Sequence, residues 1–287
     1  MSSKISYLGK VAVITGAASG IGRGIAEHCA KVGMKIVLAD IEKKPLFAIE
    51  TLLRNKGCEV ISVLTDVSKE NDIKKLADIT FDKFGCVHFL FNNAGVGVGG
   101  AAWETSIAQW NWIIDVNLKG VIYGIKYFIP RMLNQDEECF VVNTASLAGL
   151  TTGAGLAPYI VTKHAVVSLT ETLFHDLAIK KSKIKTAVYC PVIVNTRIMD
   201  SLRNAPENIK IEIKNVELTD EQRQTEDYMR HVLTQGMTIE QSSACLFKEL
   251  EMGKFYILTH PGCKSMVETR FKDILNDHVP TLPSIPE

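Results

Sequence analysis

The sequence predicts an α/β fold: a single doubly wound domain with a seven-stranded parallel sheet flanked by helices, plus a helical excursion before the last strand. Three observations predict it. Seven short apolar runs recur along the 287 residues, each about as long as a strand buried on both faces. Longer amphipathic segments fill the intervals, as crossover helices between parallel strands do. Gly16, Gly20 and Gly22 follow the first run and open the first amphipathic segment, at an end of the sheet where α/β folds bind ligands.

The strands fall at residues 11–15, 35–39, 59–64, 87–92, 139–144, 185–190 and 255–258. Helical patterns occupy residues 21–32, 46–56, 70–84, 106–133 and 158–180. Asp66, Ser68 and Asp72 bracket the start of the third, and Pro158 suits the first turn of the fifth. Gly33, Gly57 and Gly85 follow three of them, where a left-handed cap is wanted. Residues 199–235 are rich in Glu, Lys, Asn and Gln and contain no glycine. They read as helical excursions, either a lid over a site or a solvated surface appendage. Residues 279–287 read as poorly ordered or docked on a neighbouring subunit.

Composition narrows the function classes. Hydrophobic residues make up 46% and charged residues 22%, which is globular and not disordered. Lys plus Arg and Asp plus Glu both number 32, so the formal net charge is zero. That argues against nucleic acid and anionic membrane as partners, since both need a basic excess. Seven cysteines without a C-x-x-C read as reduced thiols, and the seven histidines form no H-E-x-x-H, so no metal is expected. The first ten residues lack the apolar stretch of a secretory signal, and no run reaches the ~18–20 residues that span a bilayer. A soluble, cytoplasmic protein is expected.

The glycine turn reads "TGAASGIG" and opens directly into a helix. Glycines let a backbone approach a pyrophosphate, and the helix N-terminus offers unpaired N–H groups and a partial positive charge. Asp40 closes the second strand, where an acidic residue accepts hydrogen bonds from both adenosine ribose hydroxyls. It also repels a 2′-phosphate by about 1–4 kcal/mol, depending on the local dielectric. NAD is therefore expected over NADP, with Lys43 and Lys44 close enough to soften the preference. Asp66 suits the adenine amino group, with Val67 against the ring. "NNAG", Asn92 to Gly95, ties strand ends together while its small residues let the adenosine pass.

Tyr159 and Lys163 are four apart on a predicted helix and so share a face. An ammonium beside a phenol favours phenolate and lowers a pKa that starts near 10. Such tuning is what a general acid/base needs near neutral pH. Ser146, just past the fifth strand, places a hydroxyl at the ligand-binding edge.

These motifs together resemble the short-chain dehydrogenase/reductase family, NAD(P)-dependent oxidoreductases built on a Rossmann-type domain. The resemblance runs from about residue 8 to 200 and takes in the glycine turn, Asp40, Asp66-Val67, "NNAG", Asn117, Ser146, the Tyr159/Lys163 pair and Thr196. It implies that Tyr159 is the acid/base, that Lys163 lowers its pKa and holds the nicotinamide ribose, and that Ser146 orients the carbonyl or alcohol. Asn117 would anchor a water that connects Lys163 to solvent. Cofactor contacts are implied for Gly16, Ser19, Gly20, Ile21 and Gly22 in the turn, and for Asp40, Ile41, Asp66 and Val67 beyond the second and third strands. Asn93, Ala94 and Gly95 join them, as do Tyr159, Lys163, Ile193, Val194 and Thr196. The family's usual Pro-Gly after strand six is Pro191-Val192 here, which bears on the backbone path at the nicotinamide. A homodimer or homotetramer is implied.

The chain reads as one domain over 1–287, with the cofactor and catalytic part at about 8–200. A helical substrate lid follows at about 199–253, then the last strand, helix and tail at 254–287. Apolar candidates around the substrate are Val98, Trp103, Leu147, Leu156, Val192 and Met199, with Val96 and Leu150 near them. No Arg or Lys is clearly aimed there, although Arg197 is near. Such a pocket suits a secondary alcohol or ketone on a ring or alkyl body. Trp110 and Trp112 read as helix packing or subunit contact. A non-catalytic dinucleotide sensor, or an epimerase or dehydratase on the same scaffold, is the alternative, and a complete Ser146, Tyr159, Lys163 and Asn117 set weighs against the sensor.

Overall fold

The computed structural model describes residues 5–214 and 219–282. Its strands are β1 (Val11–Thr15), β2 (Lys35–Asp40), β3 (Val60–Leu64), β4 (Phe89–Asn92), β5 (Cys139–Thr144), β6 (Ile184–Cys190) and β7 (Tyr256–Leu258). They form one sheet in the order β3-β2-β1-β4-β5-β6-β7, and every pair is parallel. The order reverses between β1 and β4. Connections leave in opposite directions there and open a crevice at the strands' carboxyl ends.

The helices are α1 (Gly20–Lys31), α2 (Lys43–Asn55), α3 (Glu70–Phe84), α4 (Ile107–Ile114) and α5 (Gly120–Asn134), then α6 (Ala157–Ile179), α7 (Glu207–Lys214), α8 (Asp220–Thr234), α9 (Ile239–Glu251) and α10 (Lys264–Leu275). The pleat of β1 sends Ala12 and Ile14 to one side, where they meet Ile25 of α1, Leu46 of α2 and Phe247 of α9. Val13 faces the other side, with Leu76 of α3, Phe128 of α5 and Leu173 of α6. This is a single α/β domain with helices on both faces. Gly33, Gly57 and Gly85 all take left-handed conformations, as their positions after helices predict.

Four differences from the sequence reading have physical causes. The helix read at 46–56 begins at Lys43, because Pro45 falls in the first turn, where a missing N–H costs nothing. The strand read from 87 begins at Phe89, because the Gln135 side chain takes both the N–H and the carbonyl of Val87, at 2.9 and 3.0 Å. The pattern at 106–133 is not one helix: a π-helical turn, Asp115–Lys119, separates α4 from α5. The excursion holds more helices than its composition separates, and α9 starts from a capping box of Thr238 and Gln241. Of the tail, residues 283–287 lie outside the described residues, as do 1–4 and 215–218; Val279 and Leu282 are exposed.

At the amino end of the sheet, His88 is buried between strands. Its Nδ1 accepts from Val11 N–H at 3.1 Å, which requires a neutral ring with the proton on Nε2, 3.1 Å from Glu137 Oε2. Burial holds its pKa below the usual 6.5, despite Glu137. Burial lowers His28, His164 and His260 in the same way. The sign follows: the unfolded chain takes up protons first, so this stability is present above pH 6.5 and is lost as pH falls below it. The midpoint of urea unfolding is therefore expected to drop between pH 7.5 and 5. His88→Gln, which keeps one donor and one acceptor, should shrink that drop. Equal drops in wild type and variant would show that His88 carries none of it.

Candidate active site

A cleft of about 280 Å³ opens at the carboxyl ends of the strands, centred on the β1/β4 reversal. The glycine turn forms its floor. Gly16 has φ +67°, and a Cβ there would lie 2.9 Å from Ala94 Cα. A Cβ on Gly22 would lie 2.1 Å from Gly16 O and 2.6 Å from Asn93 Nδ2. These two glycines thus let the turn close on itself and on "NNAG", which is a tighter constraint than approach to a phosphate. Asn93 completes the joint: its N–H donates to Thr15 Oγ1 at 2.9 Å and its amide to Thr15 O at 3.0 Å.

The N-terminus of α1 is left available. Ser19 is its N-cap yet makes no side-chain capping bond, and no acidic residue stands in the first turn. Ser106 and Thr238, by contrast, both cap their helices with complete capping boxes. An uncapped N-terminus with a free hydroxyl fits a phosphate. Asp40, at the end of β2, accepts from Ala18 N–H and Glu42 N–H, both at 2.9 Å. Burial pushes its carboxyl up, and these bonds oppose that shift. Asp66 holds Ser68 through its Oδ1 and lies on the cleft beside Val67. The donor set fits a dinucleotide: N–H groups for phosphates, a carboxylate for a ribose, and small residues between.

Ser146, Tyr159 and Lys163 meet at the opposite end of the same cleft. Ser146 is buried; its Oγ accepts from Ala148 N–H at 3.2 Å and donates to Pro191 O at 3.4 Å. The turn that carries it, Leu147–Gly149, rests on α6, because a Cβ on Gly149 would come within 2.6 Å of Lys163 O. Lys163 Nζ lies 5.5 Å from the centroid of the Tyr159 ring and donates to Thr144 O at 3.0 Å. The π-helical turn aims Asn117 inward. Its Oδ1 accepts from Val96 N–H at 2.8 Å, and its amide donates to Val96 O and Thr162 Oγ1. Asn117 Oδ1 and Lys163 Nζ would each lie 3.4 Å from a Cβ on Gly95, so the two groups are near neighbours.

The electrostatics differ from the sequence expectation. Burial pushes the Tyr159 phenol up, and a hydrogen bond with Ser146 opposes it. Burial also pulls Lys163 down to about 8. Desolvation is the first cause of both shifts and disfavours both charges. The phenol therefore stands as a proton donor, not as a depressed phenolate.

The other predicted residues divide. Gly16, Ser19, Gly20, Ile21, Asp40 and Ile41 line the cleft, as do Asn93, Ala94 and Gly95. Val192, Val194 and Thr196 line it from the far wall. Ile193 does not; it packs on Gly236 and accepts from Met237 N–H. Val192, where the resemblance leads one to expect glycine, sits without strain, since its φ is not positive and its N–H reaches Thr259 Oγ1 at 3.1 Å. Among the substrate candidates, Val98, Leu147 and Met199 are absent from the cleft wall, Leu156 is exposed, and Trp103 is 86% exposed. Trp112 and Val116, one turn apart, line it instead; their apolar i, i+4 spacing was the available signal. Arg197, near the pocket in sequence, also lines the cleft, and Arg203 lines it where it meets Glu42.

A family model described as short chain dehydrogenase matches residues 10–207. A solved short chain dehydrogenase/reductase from Burkholderia phymatum, in complex with NAD, is 42% identical, with a TM-score of 0.93 over 98% of this chain and 100% of that one. The CLA biosynthesis dehydrogenase/reductase of Lactiplantibacillus plantarum is 35% identical over 94% of this chain and 95% of its own length. The 1-deoxy-11-beta-hydroxypentalenate dehydrogenase of Streptomyces exfoliatus is 27% identical over 97% of this chain and 92% of its own length.

Proposed function

The chain belongs to the short-chain dehydrogenase/reductase family of oxidoreductases, and from that premise we propose that it interconverts a secondary alcohol and a ketone with NAD(H), on an apolar cyclic or alkyl substrate. One observation carries the reading: Ser146, Tyr159 and Lys163 share a cleft with the uncapped N-terminus of α1. Asp40 and Asp66 would hold the adenosine, the α1 turn the phosphates, and Lys163 and Thr196 the nicotinamide end. The bound nicotinamide supplies the hydride acceptor in one direction and the donor in the other. Tyr159 gives its phenolic proton to the substrate oxygen during reduction and takes it back during oxidation. Ser146 orients that oxygen, and the buried Lys163 ammonium stabilises the phenolate left behind. Val96, Trp112 and Val192 offer the substrate an apolar wall. The hydroxylated substrate in the Streptomyces relative's name is in keeping with this.

Absorbance at 340 nm with NAD and a panel of cyclic and long-chain secondary alcohols tests the reading. Activity restricted to charged sugars or acyl carriers would overturn the substrate class.

The NAD preference has its own test. Asp40→Asn removes the charge and keeps the shape. The ratio of kcat/KM for NADP to that for NAD should rise at least tenfold, the equivalent of about 1.4 kcal/mol of lost repulsion. A ratio that stays put would clear Asp40 of the discriminating role. The apolar side chains that α5 and α6 leave exposed, Ile122, Val161 and Phe174, support a homodimer or homotetramer, which light scattering measures. Among the described residues, no helix is long and apolar enough to cross a membrane.

A further inference from the structure

The chain that leaves β6 crosses the mouth of the cleft. Thr196 stands over the start of α1, its Cγ2 only 3.2 Å from where a Cβ on Gly20 would sit. A short 3-10 stretch, Ile198–Asn204, then runs to the loop after β2. There Arg203 Nε donates to Glu42 Oε1 at 2.6 Å, and Asn204 Nδ2 donates to the same oxygen at 2.8 Å. The partners are 161 and 162 residues apart in sequence.

This contact is not an ordinary surface ion pair. The Arg203 and Glu42 side chains are only 25% and 16% exposed. Arg203 Nη1 also donates to the carbonyls of Arg197 and Asp200, at 3.1 and 3.0 Å, so the guanidinium holds its own segment in shape. That segment is anchored twice more: Ser201 Oγ accepts from Gly97 N–H at 2.9 Å, and Asp200 pairs with Arg230 of α8 at 2.8 Å. Glu42 is equally placed. Its backbone N–H donates to Asp40 Oδ1, the proposed ribose ligand, while its side chain crosses to the far wall.

Glu42, Arg203, Asn204 and Pro206 line the same cleft as Asp40, Asp66 and the glycine turn. The contact therefore stands at the proposed adenosine end of the cleft, one hydrogen bond from Asp40. It thus joins the loop after β2, the strand that carries Asp40, to the segment after β6, two walls of one open cleft.

We infer that Glu42 and Arg203, with Asn204, form a clasp that closes over the adenosine end of the bound dinucleotide and sets the rate at which it leaves. The inference rests on the reading of the cleft as a NAD site. Breaking a shielded, hydrogen-bonded charge pair acts on dissociation more than on association. Loss of the clasp releases a product cofactor faster, and where that release limits turnover, kcat rises with it.

Stopped-flow measurement of NADH release from the full-length protein, read by NADH fluorescence, tests this without any substrate. Glu42→Gln and Arg203→Leu should each speed release about tenfold, and the double variant should be no faster than either single one. The swapped pair, Glu42→Arg with Arg203→Glu, should restore slow release. High salt should speed release from the wild type by a modest factor, since the pair is shielded, and by more than it does in Glu42→Gln. Unchanged release in both single variants, or additive effects in the double, would overturn the clasp while leaving the cofactor reading intact. A wild-type chain that gives no NADH fluorescence response would overturn that reading and the clasp with it.

Discussion

Tyr159→Phe should lower turnover by about 10²–10⁴-fold, the range that general acid–base catalysis supplies, and leave NADH binding in place. The ring and its packing survive; only the ionisable oxygen and its hydrogen bond with Ser146 are lost. The burial that raises this phenol fixes the direction of the pH dependence. A group held above its ordinary value of 10 is almost wholly protonated near neutrality, so ketone reduction finds its acid in place. Alcohol oxidation needs the rare base form and should climb as pH rises. Both behaviours should vanish in the Phe variant, whose residual rate should be flat with pH. A Phe variant with wild-type kcat would falsify the acid/base assignment, and NADH binding measured alongside separates loss of chemistry from loss of fold.

The strands were legible because each buried strand is a local pattern. Residues 11–15 and 139–144 coincide with β1 and β5 to the residue, and the other strands err by one or two at an end. Errors arise where a side chain replaces a ladder bond. Gln135 lies 48 residues from Val87, and no window over the strand contains it. The π-helical turn was hidden for a related reason. Residues 115–119 read as helix whether the local bond is α or π, and only the need to aim Asn117 at Val96 decides between them. The capping box of α9, Thr238 followed by Gln241, is a local signal that lies just past the polar stretch 199–235.

For the site, the sequence showed which residues gather and not what they do to one another. Tyr159 and Lys163 four apart on a helix predicts their meeting. It does not predict that desolvation raises the phenol and lowers the ammonium, since residues outside any local window, such as Thr144 and Gly149, pack against Lys163. Arg197, Ile198, Ser201, Arg203, Asn204, Pro206 and Leu233 line the cleft, while Tyr228 of α8 is exposed. Composition alone left lid and appendage equally open. The Trp103 assignment shows the converse limit: proximity in sequence to the pocket says nothing about which way a loop side chain turns, and this one is exposed.

Lys163→Met should do two opposite things, raising stability while removing activity. The ammonium is only 3% exposed and its pKa is pulled down to about 8 by burial. Against an unfolded value near 10.4, that shift marks a cost of about 3 kcal/mol for keeping the charge inside the fold. Because the folded value is the lower one, the cost is complete below pH 8 and fades as pH rises through 10.4. Methionine fills similar space without the charge, but it leaves Thr144 O without the donor now 3.0 Å away, which returns roughly 1–3 kcal/mol. The net expectation at pH 7 is a gain on the order of 1 kcal/mol, or about 2 °C in Tm, shrinking toward pH 10. Activity should fall by at least about 100-fold, since the phenolate formed during reduction loses its neighbouring cation. NADH affinity should fall too, with the proposed contact to the nicotinamide ribose gone. Denaturation at pH 7 and pH 9.5, with kcat and NADH affinity on the same preparations, separates the possibilities. A variant that loses only affinity would remove Lys163 from the proton chemistry. One that loses stability as well would make the ammonium a structural anchor, held for Thr144 and not for the reaction.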